Sequence, residues 1–250
     1  IMRFDIAANR WLVNWWLAWA SLCGGSLAAE PQSLVVVQRG EVPIILSAPH
    51  GGNEPVPGAA PRKGEGLERK PGGFVTARDT GTEELAHEVA DAVALRFDKP
   101  PYSVVLTAHR KYLDPNRAPA AAYEGDAAKA VYDAYHAALE DACRDVQARF
   151  HTGLLLDLHG QGSAKDTVFR GMKNGATVAA LRQRFGEAAH TGEASLWGQL
   201  KRRGWTVHPD PFDGREQPGF TGGYIVQRYG KQADFGIDAV QLEFGASYRS

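Results

Sequence analysis

Two apolar runs that each stop at a histidine constrain this chain more than any other feature. Ile44-Ile-Leu-Ser-Ala-Pro49-His50-Gly-Gly52 reads as a short buried strand halted at Pro49. His50 stands at its carboxyl end, and the two glycines behind it let backbone approach a ligand. Leu154-Leu-Leu-Asp157-Leu-His159-Gly160 has the same design. In open α/β sheets, ligands bind outside the carboxyl ends of the strands. Two histidines delivered to that edge by two strands point to a metal site.

The pattern around these runs predicts an α/β protein. Residues 34–38 and 42–47 are β-like and are joined by Arg39-Gly40-Glu41, which suggests a tight hairpin. Residues 53–73 are rich in Gly, Pro, Lys and Glu and form a long loop. A helix opens near Asp79 or Thr80, each a suitable N-cap, with Leu85, Val89 and Val93 on one face. Pro100-Pro101 ends it, and residues 102–108 are the next strand. A long helix spans residues 127–150, with Val131, Tyr135, Leu139, Ala142, Val146 and Phe150 at 3.6-residue spacing. Beyond the His159 strand, residues 177–185 and 194–203 read as helices and residues 205–208 as a strand. Gly222-Gly223 precedes a segment at 224–229, and residues 238–244 form the last strand. Alternating strands and helices imply a three-layer α/β/α fold with a mixed, mostly parallel sheet. Such a sheet normally takes a covering helix after its last strand, so the C-terminus at Ser250 reads as truncated.

Arg3 and Arg10 precede an apolar run at 11–22 that only Asn14 interrupts, and Cys23-Gly-Gly-Ser26-Leu-Ala28-Ala-Glu30 follows. A basic start, a short apolar stretch and small residues before a polar exit describe a secretory signal peptide cleaved near Ala28. The chain is therefore expected to divide into a signal peptide over residues 1–29 and one catalytic domain over residues 30–250. The mature protein would be exported, periplasmic or extracellular, and not inserted in a membrane. Cleavage leaves Cys143 as the only cysteine, so no intramolecular disulfide can form. Lysine plus arginine number 28 against 29 aspartates and glutamates, a balance that gives no sign of a nucleic-acid partner.

Catalytic zinc takes three protein ligands, often two histidines and a carboxylate, and leaves a position for water. His50 and His159 are the nitrogens. The carboxylate is Asp79 or Glu54. Asp79 is preferred, because Pro49, Pro55 and two glycines disfavour the helix that would turn Glu54 toward His50. Asp157 shares a strand face with His159 and is a candidate to hold its ring. Glu243 closes the last strand on the same face as Gln241, where a glutamate near a metal site can act as general base. Arg110, Asn116 and Arg117 form a cationic, hydrogen-bonding cluster that Asp114 compensates in part. Arginine grips carboxylates through two N–H groups, so an anionic substrate follows.

Ser47-Ala-Pro-His50-Gly-Gly, Arg78-Asp79-Thr80-Gly-Thr, Arg110 through Asp114-Pro-Asn116-Arg117, Leu156-Asp-Leu-His159-Gly, Phe220-Thr-Gly222-Gly223 and Gln241-Leu-Glu243 occur in this order. Together they resemble the N-formylglutamate amidohydrolase family, which is similar to zinc carboxypeptidases and aspartoacylase-type deacylases. The resemblance implies a phosphorylase/hydrolase-like fold and one zinc ion on His50, an acidic residue and His159. Asp114, Asn116 and Arg117 resemble the deacylases' substrate-carboxylate site, with Arg110 as partner, and Glu243 resembles their general base. The deacylases carry His-Gly-Asn-Glu where this chain has His50-Gly-Gly-Asn-Glu54, so Asp79 and Glu54 both remain open.

These residues predict a zinc-dependent hydrolase of amide bonds in N-formyl or N-acyl amino acids or short peptides. Gly222 and Gly223 would let a loop approach the substrate. A metallocarboxypeptidase acting on peptides or cell-wall fragments is the alternative within the same class. A non-catalytic anion-binding protein on the same fold is the alternative outside it.

Overall fold

The apolar runs become inner strands of a single sheet in the computed structural model, which describes residues 31–68, 73–230 and 235–249. The signal peptide expected over residues 1–29 lies outside the described residues. In chain order the elements are β1 (Val35–Gln38), β2 (Ile44–Ala48), α1 (Thr82–Phe97), β3 (Tyr102–Leu106), α2 (Pro119–Ala122) and α3 (Asp126–Phe150). They continue with β4 (Gly153–Gly160), β5 (Thr167–Gly171), α4 (Ala179–Phe185), α5 (Ala188–Thr191), α6 (Leu196–Arg202), β6 (Thr206–His208), α7 (Tyr224–Gly230) and β7 (Ile237–Phe244). Among the described residues the strands form one sheet in the order β1-β3-β2-β4-β7-β5-β6. β3, β2, β4 and β7 run parallel, whereas β1 lies antiparallel on β3 and β5 antiparallel on β7.

Strand alternation divides the core into two layers. Ile45, Val104, Leu155 and Ala239 pack with Tyr135, Leu139 and Val146 of α3 and Ile225 and Tyr229 of α7. Val105, Leu158, Val240 and Leu242 pack on the opposite face, with Ala86 of α1, Val178 and Trp197 of α6. Helices on both faces of a mixed sheet give the three-layer α/β fold. No helix among the described residues is long and apolar enough to cross a membrane.

Two local expectations change, and one strand arises that the pattern does not mark. β1 and β2 do not form a hairpin. Both edges of β2 are occupied in parallel, by β3 and β4, so β1 pairs with the free edge of β3 instead. Gly40 then packs so closely on β3 that a Cβ there would lie 2.2 Å from the Tyr102 backbone nitrogen. α1 starts at Thr82 behind Gly81, whose φ is 84°, and not at Asp79 or Thr80. The Asp79 carboxylate turns inward to the site and leaves the helix end uncapped by a side chain. β5 falls in a stretch without clear alternation, and it pairs with β7 in register from Val168↔Phe244 to Gly171↔Gln241.

Register places the polar residues. Ser47 of β2 lies opposite Asp157 of β4, which lies opposite Gln241 of β7. One period nearer the carboxyl edge, His159 lies opposite Glu243. The sequence alternation thus becomes two polar rows on one sheet face, with the outer row at the edge where ligands bind.

Candidate active site

His50, Asp79 and His159 converge at that edge, all three buried. His50 follows β2 and His159 ends β4. The Asp79 loop is tied to both, because Asp79 N–H donates to His50 O at 2.9 Å and Gly160 N–H donates to Asp79 Oδ2 at 3.1 Å. Nδ1 of His50 lies 3.1 Å from Nδ1 of His159, and each nitrogen lies 3.3 Å from Asp79 Oδ2.

The far side of each ring fixes its tautomer. His50 Nε2 lies 2.7 Å from Asp114 Oδ1, and His159 Nε2 lies 2.8 Å from Asp157 Oδ2. An ionised carboxylate only accepts, so each Nε2 is the donor and each neutral ring keeps its lone pair at Nδ1. Two lone pairs and a carboxylate oxygen therefore face one another, an arrangement that repels unless a proton or a cation sits among them. Ligands about 2.0–2.1 Å from a tetrahedral ion stand about 3.3 Å apart, which matches this triangle. The residues present fit a metal ion. Burial would lower the His159 pKa, but Asp157 and Asp79 hold it well above the ordinary histidine value, so without metal a proton takes the place. Burial likewise opposes ionisation of Asp79, and the two histidines outweigh it and hold its carboxyl below the usual range. Glu54, the other acidic candidate, is exposed and bridges to Ala108 through its backbone.

Asp114, expected at the substrate, sits behind His50. It is buried, receives His50 Nε2–H, and accepts from Arg110 Nε at 3.1 Å and Nη2 at 2.8 Å. Arg110 also reaches Asp79 Oδ1 at 3.4 Å, so its charge is shared between two carboxylates that flank the site. Burial works against an ionised Asp114, yet Arg110 and His50 keep its carboxyl well below the ordinary value.

Asn116 holds the wall together. Its Oδ1 accepts Ile225 N–H at 3.0 Å, at the start of α7, and its Nδ2 donates to Gln241 Oε1 at 3.1 Å. Gly223 N–H donates to the same Gln241 oxygen at 2.7 Å, and Gln241 Nε2–H donates to Glu243 Oε1 at 2.7 Å. Gly223 must be glycine, because a Cβ there would lie 2.3 Å from the Asn116 amide. Gly222 adopts φ 94° beside Gly171. Burial, with the Asp79 charge nearby, pushes Glu243 up to about 7 against the opposing pull of His159 and Arg110.

A cavity of about 1020 Å³ opens over these groups and is lined by His50, Asp79, His159, Glu243, Arg110 and Asn116 together with Gly222 and Gly223. Arg78, Arg117, Lys173 and Arg249 also line it. Among the described residues none of these four forms an ion pair; Arg78, Arg117 and Arg249 donate to backbone carbonyls. The wall is therefore cationic and suits an anionic ligand. Sequence spacing points to Gln241 through its shared face with Glu243. No local signal marks Lys173 or Arg249, which arrive from separate loops.

The profile of the N-formylglutamate amidohydrolase family matches residues 122–248, just over half of the chain. The matched span contains His159, Gln241 and Glu243, and the His50 and Asp79 segments precede it. The fold is similar to the crystal structure of N-formylglutamate amidohydrolase from Ralstonia eutropha JMP134, at 18% identity and TM-score 0.52, covering 85% of this chain and 86% of that one. It is also similar to a gene product of Agrobacterium tumefaciens, at 15% identity and TM-score 0.50, covering 85% of each chain. No curated protein sequence matches the chain.

Proposed function

The chain belongs to the N-formylglutamate amidohydrolase family, and from that premise we propose that it is a zinc-dependent hydrolase of N-formyl or N-acyl amino acids. The observation that carries the zinc assignment is the triangle of His50 Nδ1, His159 Nδ1 and Asp79 Oδ2, with sides of 3.1 to 3.3 Å, backed by a carboxylate on each ring. Nitrogen and carboxylate donors in a three-residue set are those of catalytic zinc sites. Zinc bound there would polarise the substrate carbonyl and lower the pKa of a water.

The remaining work falls to side chains of this chain. Glu243 lies opposite His159 in the sheet, and its raised pKa suits a group that takes a proton from the attacking water and gives it to the leaving nitrogen. Gln241 fixes the carboxylate orientation. Arg110 is engaged by Asp114 and Asp79, so its role is to hold the site's charge balance. Arg117, with Lys173 and Arg78 also on the cavity wall, is the better holder for a substrate carboxylate, because each lacks an ion-pair partner among the described residues. Asp114 and Asn116 act through His50 and Gln241.

The test is product release from N-formyl-L-glutamate, from other N-acyl amino acids and from short peptides, after chelation and again after zinc is restored. Turnover of acyl amino acids that returns with zinc supports the reading. Faster turnover of peptides would replace it with a carboxypeptidase, and absence of turnover with zinc bound would replace it with a binding protein.

A further inference from the structure

A second cavity of about 390 Å³ adjoins the first, and Val75 and Arg117 line both. Arg62, Lys63 and Arg117 line it together with Leu67, Phe74 and Ala121. The volume is in the range of small-molecule sites. Its charges do not cancel. Arg62 is buried, and its Nη2 is spent on the Val75 and Arg110 carbonyls, at 2.9 and 2.8 Å. Its Nε is shielded from solvent and has no hydrogen-bond partner, its Nη1 donates to no described residue, and no carboxylate pairs with it among the described residues. Arg117 donates to Asn116 O and likewise forms no ion pair among the described residues. Asp114 reaches this wall too, but its oxygens are taken by His50 and Arg110. Glu68 stands exposed at the rim. Phe74 lies over the Arg62 guanidinium, 5.1 Å from ring centre to carbon, and remains half exposed. A buried guanidinium without a direct ion-pair partner is costly, and a ligand carboxylate would offset that cost.

We propose that this side chamber is a second subsite, which takes an apolar, ring-sized group carrying a carboxylate. The substrate part of the inference rests on the hydrolase reading. Arg117 is the cation that reading assigns to the substrate carboxylate, and it lines both cavities. The extension therefore sits on the amino-acid side of the scissile amide, and the preferred substrate is an N-acyl amino acid lengthened there by an apolar residue with a free carboxylate.

Two measurements test it. The first titrates the zinc-loaded chain with 3-phenylpropionate in a calorimeter. The expected result is saturable binding that Phe74→Ala weakens about 10-fold, by loss of aromatic contact, and that Lys173→Gln, in the larger cavity, weakens less. Absence of saturable binding, or binding that Lys173→Gln weakens as much as Phe74→Ala, overturns the subsite. The second compares kcat/KM for N-formyl-γ-L-glutamyl-L-phenylalanine with that for N-formyl-L-glutamate, which share the formyl bond. The ratio is expected to exceed one and to fall about 10-fold in Phe74→Ala, for the same contact. A ratio below one, or one that Phe74→Ala leaves unchanged, overturns the extended substrate. Turnover of neither compound alongside Phe74-dependent binding rejects the hydrolase reading and keeps the chamber.

Discussion

Nδ1 of His50 and Nδ1 of His159 face each other at 3.1 Å, while Nε2 of each ring is held by a different buried carboxylate. Neither ring can turn its proton inward without giving up a hydrogen bond to Asp114 or Asp157. The pair is thus set to share a cation. With metal at about 1,000 times its Kd, binding contributes about 4 kcal/mol. For a chain of this size that is roughly 10 °C in Tm. Chelation is expected to lower Tm by that order and His50→Ala to abolish the difference, both read by thermal denaturation with metal analysis.

The raised His159 pKa gives the pH sign of metal affinity. Below that pKa a proton competes for Nδ1, so affinity rises with pH and binding releases protons. Calorimetry in two buffers of different ionisation enthalpy measures the release. An affinity independent of pH would remove His159 from the ligand set.

Asp114 and Asp157 play different parts although each touches one histidine. Asp157 bonds to His159 and to Ser47 Oγ, at 2.8 and 2.7 Å. Asp157→Asn is expected to cost about 10- to 100-fold in metal affinity, as a lost orienting carboxylate does. Asp114 also neutralises Arg110, which is buried. Asp114→Ala is expected to destabilise the fold by about 3–5 kcal/mol, the cost of stranding a buried charge. Chelator competition reads the first effect and denaturant unfolding the second.

Glu243 carries two opposite pH effects. In the proposed role of base it works when ionised, so kcat/KM is expected to rise with pH, with its midpoint at or below 7, because a bound cation lowers a value pushed up to about 7 by burial. Glu243→Gln keeps the metal and loses about 10²- to 10⁴-fold in kcat. In the metal-free protein the folded pKa exceeds the ordinary carboxyl value. The stability this group contributes is complete below that ordinary value and is lost as pH climbs toward 7, by about 3 kcal/mol. The difference in unfolding free energy between the wild type and Glu243→Gln, followed across that interval, isolates it.

The histidines were legible because strand ends need a breaker, and Pro49 and the glycines mark where each strand gives its side chain to the sheet edge. The position of Glu243 at the sheet edge was legible because alternation on a final strand is simple. Asp114 was not, since a charge-dense loop gives no sign of which member turns inward. Arg110 and Asp114 are four residues apart and pair with each other, so each answers the other's charge within the protein. The β1–β2 pairing failed for a related reason. Local spacing suggests a hairpin, but β2 is claimed on both edges by strands that arrive much later in the chain. Arg249 reaches Gln161 and Thr80 carbonyls across the whole sequence, a contact that no local pattern encodes.

Gly223 tests whether Glu243 depends on the chain of amides behind it. A Cβ at Gly223 would meet the Asn116 amide at 2.3 Å. Asn116 would have to move and would pull on Ile225 N–H and Gln241 Oε1, both at about hydrogen-bond distance now. Gln241 is the group that orients Glu243. A shift near 1 Å at a reacting group can cost about 10²-fold. Gly223→Ala is therefore expected to lower kcat by that order while metal content stays at the wild-type level. Gly162, also at the cavity, has nothing within 4 Å of its would-be Cβ, and Gly162→Ala is the matched control with activity near wild type. Equal losses in the two variants would show that the Asn116–Gln241 link does not position the base.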